Sequence, residues 1–131
     1  MEMLIDFPGG SRVDAHFGKF TVATDQPPAA SAPTPFAVFL SSIGTCAGIY
    51  VLGFCQERKI PFEDISIVER TEYGKKEDGK SFLEKIVIEI SVPPDFPEKY
   101  RKTLIKVADQ CAVKKAILNP PLIEVRTEVR K

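Results

Sequence analysis

The sequence predicts an α+β fold whose strands pair in hairpins and whose helices are segregated from them. Three observations carry that expectation. Short runs near the start, middle and end of the chain alternate apolar and polar residues, the period of a half-buried strand. A run of twenty residues from Phe36 to Cys55 carries no charge and is helix-length. The strand-like runs are grouped rather than alternating singly with helices. The predicted order is βββ-α-ββ-αα-β, which fits antiparallel hairpins better than a parallel sheet with crossover helices.

Residues 2–24 read as three short strands. Val13, Ala15 and Phe17 alternate with Arg12, Asp14 and His16, and Phe20 and Val22 continue the pattern after the turn at Gly18. His16 falls on the polar side and is given no role. Pro8-Gly9-Gly10 separates the first two runs. Residues 25–35 are rich in Pro and Ala and read as a loop, since proline fixes φ and removes a donor. Thr34 is the predicted cap of a helix from about Pro35 to Lys59, with Pro35 at its first position.

That helix is long enough to raise a membrane-spanning reading, and Gly44 and Gly48 make a GxxxG spacing. Ser41, Ser42, Thr45 and the glycines dilute its hydrophobicity, however. The neighbouring amphipathic strands also need an apolar element to cover them. A central helix buried all round is the expectation, with the glycines letting another helix or a partner subunit approach closely.

Two strands follow, from about 65 to 73 and on through Ile86, Ile88, Ile90 and Val92, joined by a turn over Gly74–Gly79. Asp95 before Pro97 and Glu98 reads as a helix start. Tyr100, Leu104, Val107, Ala108 and Cys111 then share one helical face. A break near Asp109 would put Cys111 at a new helix start, where its thiolate is favoured. A short helical segment runs to about Leu118 and ends at Asn119-Pro120-Pro121. Ile123, Val125, Thr127 and Val129 alternate with charged residues in a predicted final strand.

At 131 residues, the chain is the size of one domain, residues 1–131, large enough for a core without disulfides or a structural metal. Eighteen basic and eighteen acidic residues give a net charge of zero, so no basic face for nucleic acid is expected. Three widely spaced cysteines are not a secreted disulfide framework. One histidine and no CxxC or HxxxH spacing leave little for zinc, and no cofactor is expected. Met1-Glu2-Met3-Leu4 lacks a basic n-region, and a cytoplasmic, membrane-free location is expected.

Sulfur is the one obvious catalytic resource. A working cysteine must be a thiolate, which needs a nearby positive charge or a helix N-terminus. Cys46 lies mid-helix among Gly44, Thr45, Ala47 and Gly48, which leave room above its sulfur. Core packing is the competing reading for Cys46 and for Cys111, and composition alone favours it. Cys55 lies nine residues after Cys46; at about 100° per residue the two point to opposite helix faces, and Cys55 reads as structural. Arg12 follows a Gly-Gly turn and could reach over a neighbouring surface, although a solvated strand end is the usual fate of such a residue.

The stretch Pro33-Thr-Pro-Phe-Ala-Val-Phe-Leu-Ser-Ser-Ile-Gly-Thr-Cys-Ala-Gly-Ile resembles the central-helix motif of the OsmC/Ohr family, the osmotically inducible and organic hydroperoxide resistance proteins. Asp109-Gln-Cys-Ala-Val-Lys-Lys-Ala-Ile resembles that family's Cys-Pro-Val segment, with Ala112 in place of Pro. The element order fits along essentially the whole chain. The resemblance implies an OsmC-like fold and an intertwined homodimer with the long helices at its centre. It also implies a thiol peroxidase acting on organic hydroperoxides or hydrogen peroxide. Cys46 would be oxidised to a sulfenic acid, Cys111 would close a disulfide with it, and an external dithiol would reduce the bridge. In the hydroperoxide branch a Glu at the helix start orients an Arg toward the thiolate. Here that Glu is replaced by Phe36, and the Arg maps to Arg12. The replacement predicts another means of activating Cys46 or a weaker peroxidase, with Phe36, Phe39 and Ile43 forming an apolar substrate wall. A small-molecule or thiol-binding protein of the same fold, without useful turnover, is the rival expectation.

Overall fold

The computed structural model describes residues 1–130. They fall into two compact units, the first spanning Met1–Ser42 and the second beginning at Ile43. The observed order is three strands, a long helix, two strands and two short helices, the α+β class that the patterning predicts.

In the first unit β1 (Leu4–Gly9), β2 (Arg12–Phe17) and β3 (Phe20–Thr24) form an antiparallel sheet in that spatial order. Phe17 pairs with Phe20 across a two-residue turn whose Gly18 has φ +55°, a conformation that glycine adopts without a Cβ penalty. The most buried residue of β2 is on its polar side. Asp14 is 5% exposed and accepts a charge-assisted hydrogen bond from Arg12 Nη2 at 2.7 Å. Burial of that carboxylate depends on its partner. His16 is also engaged: its ring nitrogens lie 3.1 Å from Asp6 Oδ2 and 3.0 Å from Thr21 Oγ1.

The loop after β3 closes on Asp25, which is 2% exposed. Its carboxylate accepts from Ser11 Oγ, from the Gln26 N–H, and from both the N–H and Oγ of Ser31. The Ser11 and Ser31 hydroxyls, then the Ser31 and Gln26 amides, hold its carboxyl well below the usual range.

Helix α1 runs Pro35–Glu57. As predicted, Thr34 caps it, its Oγ1 accepting from the Ala37 N–H at 3.1 Å. Its end is a Schellman turn: the Ile60 N–H reaches Cys55 O at 2.9 Å and the Lys59 N–H reaches Gln56 O at 3.3 Å. Lys59 takes the left-handed position at φ +54°.

In the second unit β4 (Ser66–Lys75) and β5 (Ser81–Ser91) form an antiparallel hairpin. Ile65, Ile67, Ile88 and Ile90 pack against Ala47, Val51, Phe54 and Cys55 of α1. A single 3₁₀ turn, Glu98–Tyr100, leads into α2 (Arg101–Ala108). The predicted helix start before Glu98 is found there, with Pro97 at the cap position and no side-chain bond. Leu104 and Ala108 of α2 complete the core. Full burial of Leu104 contributes about 2 kcal/mol. Helix α3 is Ala112–Leu118.

Two expectations need correction. Helix α1 is buried along one side only, at Ile43, Ala47, Val51, Phe54 and Cys55, while Ile49 and Leu52 are 67% and 37% exposed. It is long and apolar enough to cross a membrane by length and composition, but its buried side packs on protein. The predicted final strand does not form: residues 119–130 have no regular structure, and Ile123, Val125 and Val129 are exposed. A strand exists only when its N–H and C=O groups find a ladder partner, and among the described residues this segment pairs with neither sheet.

Within this chain Gly44 and Gly48 face β4. A Cβ on Gly48 would lie 3.8 Å from Ile67 Cδ1, and one on Gly44 only 2.7 Å from Glu69 Oε1. What approaches α1 closely within this chain is a sheet.

Candidate functional site

The second unit brings Cys46 and Cys111 together. Cys46 is on α1, half-buried, and Cys111 is buried; both are free thiols. The chain turns after Asp109, as the sequence predicts, and Cys111 becomes the cap residue of α3, at φ −53° and ψ 131°. Its Sγ accepts from the Lys114 N–H at 3.4 Å. Cys46 and Cys111 influence each other's ionisation, and the Val113 and Ala112 backbones act on Cys46 as well.

The two sulfurs are electrostatically unequal. The Cys111 S–H, then the Val113 amide, lower the pKa of Cys46 against the opposing effect of burial, with the Ala112 amide adding to them. Burial, then the bond to Cys46, raises the pKa of Cys111. Cys46 therefore ionises first, and Cys111 stays a thiol that donates to it. This reverses the expectation that the helix start favours a Cys111 thiolate: the dehydration of a sulfur 2% exposed outweighs the amide it accepts from. Cys55 has no exposure, and burial pushes its thiol up despite Arg58 nearby. It is structural, as helix geometry indicates.

The other sequence candidates are on β2 and in the first turns of α1. Arg12 sits on β2 with its guanidinium on Asp14. Phe36 and Phe39 are exposed, their rings 5.6 Å apart; Ile43 is buried. Asp6, Asp14 and His16 offer donor atoms within 4.8 Å of one another, but the cation at Asp14 is Arg12. The sequence reading missed Asp14 as the partner of Arg12, because alternation assigned it to solvent. It also missed the two amides at Cys46, because every residue but proline carries one.

The second unit thus holds two free thiols on separate helical segments, with their pKa values pushed in opposite directions. The family profile for OsmC-like proteins matches residues 28–126, and the chain belongs to that family. Similar folds occur in an OsmC-like protein from Mycoplasma pneumoniae (TM-score 0.71, 17% identity, covering 91% of this chain and 87% of that one). The hydroperoxide resistance protein OhrB of Bacillus subtilis gives 0.59 and 19%, covering 92% and 93%. An OsmC-like hydroperoxide resistance protein from Jannaschia gives 0.58 and 20%, covering 95% and 89%. At these identities the likeness is one of fold. No curated protein sequence matches.

Proposed function

We propose that this protein is a thiol peroxidase that reduces organic hydroperoxides or hydrogen peroxide. The observation that carries the reading is the pair of free, unequal thiols, Cys46 with its pKa lowered and Cys111 with its pKa raised by burial and by Cys46. The Cys46 thiolate attacks the distal peroxide oxygen and the O–O bond breaks. The departing alkoxide takes a proton, and Cys46 becomes a sulfenic acid. The Cys111 sulfur then attacks the Cys46 sulfur, its proton leaves with the hydroxyl as water, and a disulfide forms. An external dithiol reduces that disulfide by exchange, returning both thiols. Two electrons from the dithiol thus reduce one peroxide. The exposed Phe36 and Phe39 rings offer apolar surface to an organic chain, with Ile43 further along the same helix. Arg12 is the proposed cation of the reaction, held by Asp14.

A single OsmC-like domain working as a cytoplasmic homodimer completes the proposal. It is supported by the uncharged outward line Thr45, Ile49, Leu52 and Gln56 on α1 and by the unpaired, alternating segment at 123–129; sedimentation equilibrium tests it. The reaction is tested by adding one equivalent of cumene hydroperoxide and counting thiols. Two of the three are expected to disappear in the wild type. Survival of all three overturns the proposal. Phe36 in place of the helix-start carboxylate favours a second reading, a binding protein of the same fold without turnover. Rapid dithiol-dependent peroxide consumption, abolished by Cys46→Ser, excludes it.

A further inference from the structure

Strands β1 and β2 set two carboxylates against each other. Asp6 and Asp14 are directly opposed in the antiparallel register, so both side chains leave the same face of the sheet, where like charges repel. His16 is two residues along β2 from Asp14 and shares that face. The donor atoms of the three residues lie within 4.8 Å of one another, and His16 Nε2 is 3.1 Å from Asp6 Oδ2. Arg12 answers one Asp14 oxygen only, Oδ2, at 2.7 Å. Asp14 is 5% exposed, and its Oδ1, like Asp6 Oδ1, is buried without a hydrogen-bond partner. One guanidinium for two carboxylates leaves a negative charge and two orphaned oxygens, which is costly unless a cation completes the group.

We propose that Asp6, Asp14 and His16 bind a first-row divalent cation of the zinc type, with water completing the coordination on the open side. An imidazole nitrogen with two carboxylate oxygens suits such a metal better than magnesium, which prefers oxygen alone. Ligands about 2.1 Å from a shared cation stand about 3.0–3.4 Å apart, and the His16–Asp6 separation of 3.1 Å already matches. The His16 and Asp6 side chains are 37% and 48% exposed, so they can close onto Asp14, which Arg12 holds in place. The surrounding groups are those a metal site needs. His16 Nδ1 is 3.0 Å from Thr21 Oγ1; with the ring proton on that bond, the Nε2 lone pair faces the cation. Arg12 fixes the ligating Asp14 carboxylate by its other oxygen. The site needs neither cysteine, and it stands or falls separately from the peroxidase reading.

The test uses the imidazole NMR signals of His16, the one histidine in the sequence. The full-length protein is titrated with zinc chloride at mildly alkaline pH, where imidazole is neutral, with Cys46 and Cys111 replaced by serine to keep the metal off sulfur. One equivalent of Zn²⁺ should move the ring signals, and Mg²⁺ at the same concentration should leave them in place. Asp14→Asn and, separately, Asp6→Asn should each weaken the Zn²⁺ response at least about tenfold. Should Asp14→Asn not fold, because Arg12 loses its partner, the half-exposed Asp6→Asn decides alone. Ring signals that stay fixed in excess Zn²⁺ overturn the proposal. So do equal responses with and without Asp6→Asn, which would make His16 a lone surface ligand, and an equal response to Mg²⁺, which would remove the imidazole from the ligand set.

Discussion

Gly44 exists in this helix because a carboxylate occupies the space its side chain would take. A Cβ built there lies 2.7 Å from Glu69 Oε1, an atom that is buried without a hydrogen-bond partner. Replacing a helix-interior glycine by alanine contributes about 1 kcal/mol through backbone entropy. In Gly44→Ala this gain is opposed by displacement of the Glu69 carboxylate. The displaced atoms are the end of a flexible side chain, so the cost is that of a strained rotamer, about 1 kcal/mol, and the net change is near zero. In a Glu69→Ala background the obstruction is gone, and Gly44→Ala should add the full gain of about 1 kcal/mol. Gly48→Ala is the internal control. Its Cβ would meet Ile67 Cδ1 at an ordinary 3.8 Å, and it should stabilise by about 1 kcal/mol in either background. Urea denaturation followed by circular dichroism measures all four changes, with each 1 kcal/mol appearing as about 3–5 °C in a parallel melt. Equal effects of Gly44→Ala with and without Glu69 would refute the close approach of β4 as the reason for the glycine.

Asp25→Asn should lower the melting temperature at neutral pH and flatten its acid dependence. The folded carboxyl titrates below its unfolded value, so its stabilisation is complete above the unfolded pKa, near 4, and is lost as pH falls through the folded one; melts from pH 7 to pH 2 check this. Cys111→Ala removes the thiol donor and should move the Cys46 alkylation profile to higher pH, whereas Cys111→Ser, which keeps a donor, should move it less. After peroxide, both variants should trap Cys46 as a dimedone-reactive sulfenic acid. Lys59→Gly should stabilise by up to about 1 kcal/mol, since Lys59 caps α1 at φ +54° with a Cβ that this conformation disfavours; equilibrium unfolding measures it.

Periodicity made the framework legible. Thr34 and Pro35 mark the start of α1 by cap chemistry alone, and the Leu104, Ala108 and Cys111 stripe is buried as its spacing requires. Asp95, Pro97 and Glu98 mark a helix start that is found there, with Pro97 at the cap position. Asp14 misled because alternation sorts residues by polarity, and a carboxylate paired to Arg12 can be buried although it is polar. The cysteine pair was legible only through motif resemblance, since nothing in spacing brings the sulfurs of two separate helical segments together. Its electrostatics were less legible still, because two of the groups acting on Cys46 are backbone amides.

Two surfaces are more apolar than a solvated single chain requires. Helix α1 leaves Ile49 and Leu52 exposed on a side that carries no charge between Phe36 and Cys55. The segment after α3 keeps a period-2 pattern yet leaves Leu122, Ile123, Val125 and Val129 in water. Each such side chain forgoes about 1.5–3 kcal/mol of burial, and the segment forgoes its ladder hydrogen bonds as well. Residue periodicity announces that a face is meant to be covered and is silent about what covers it.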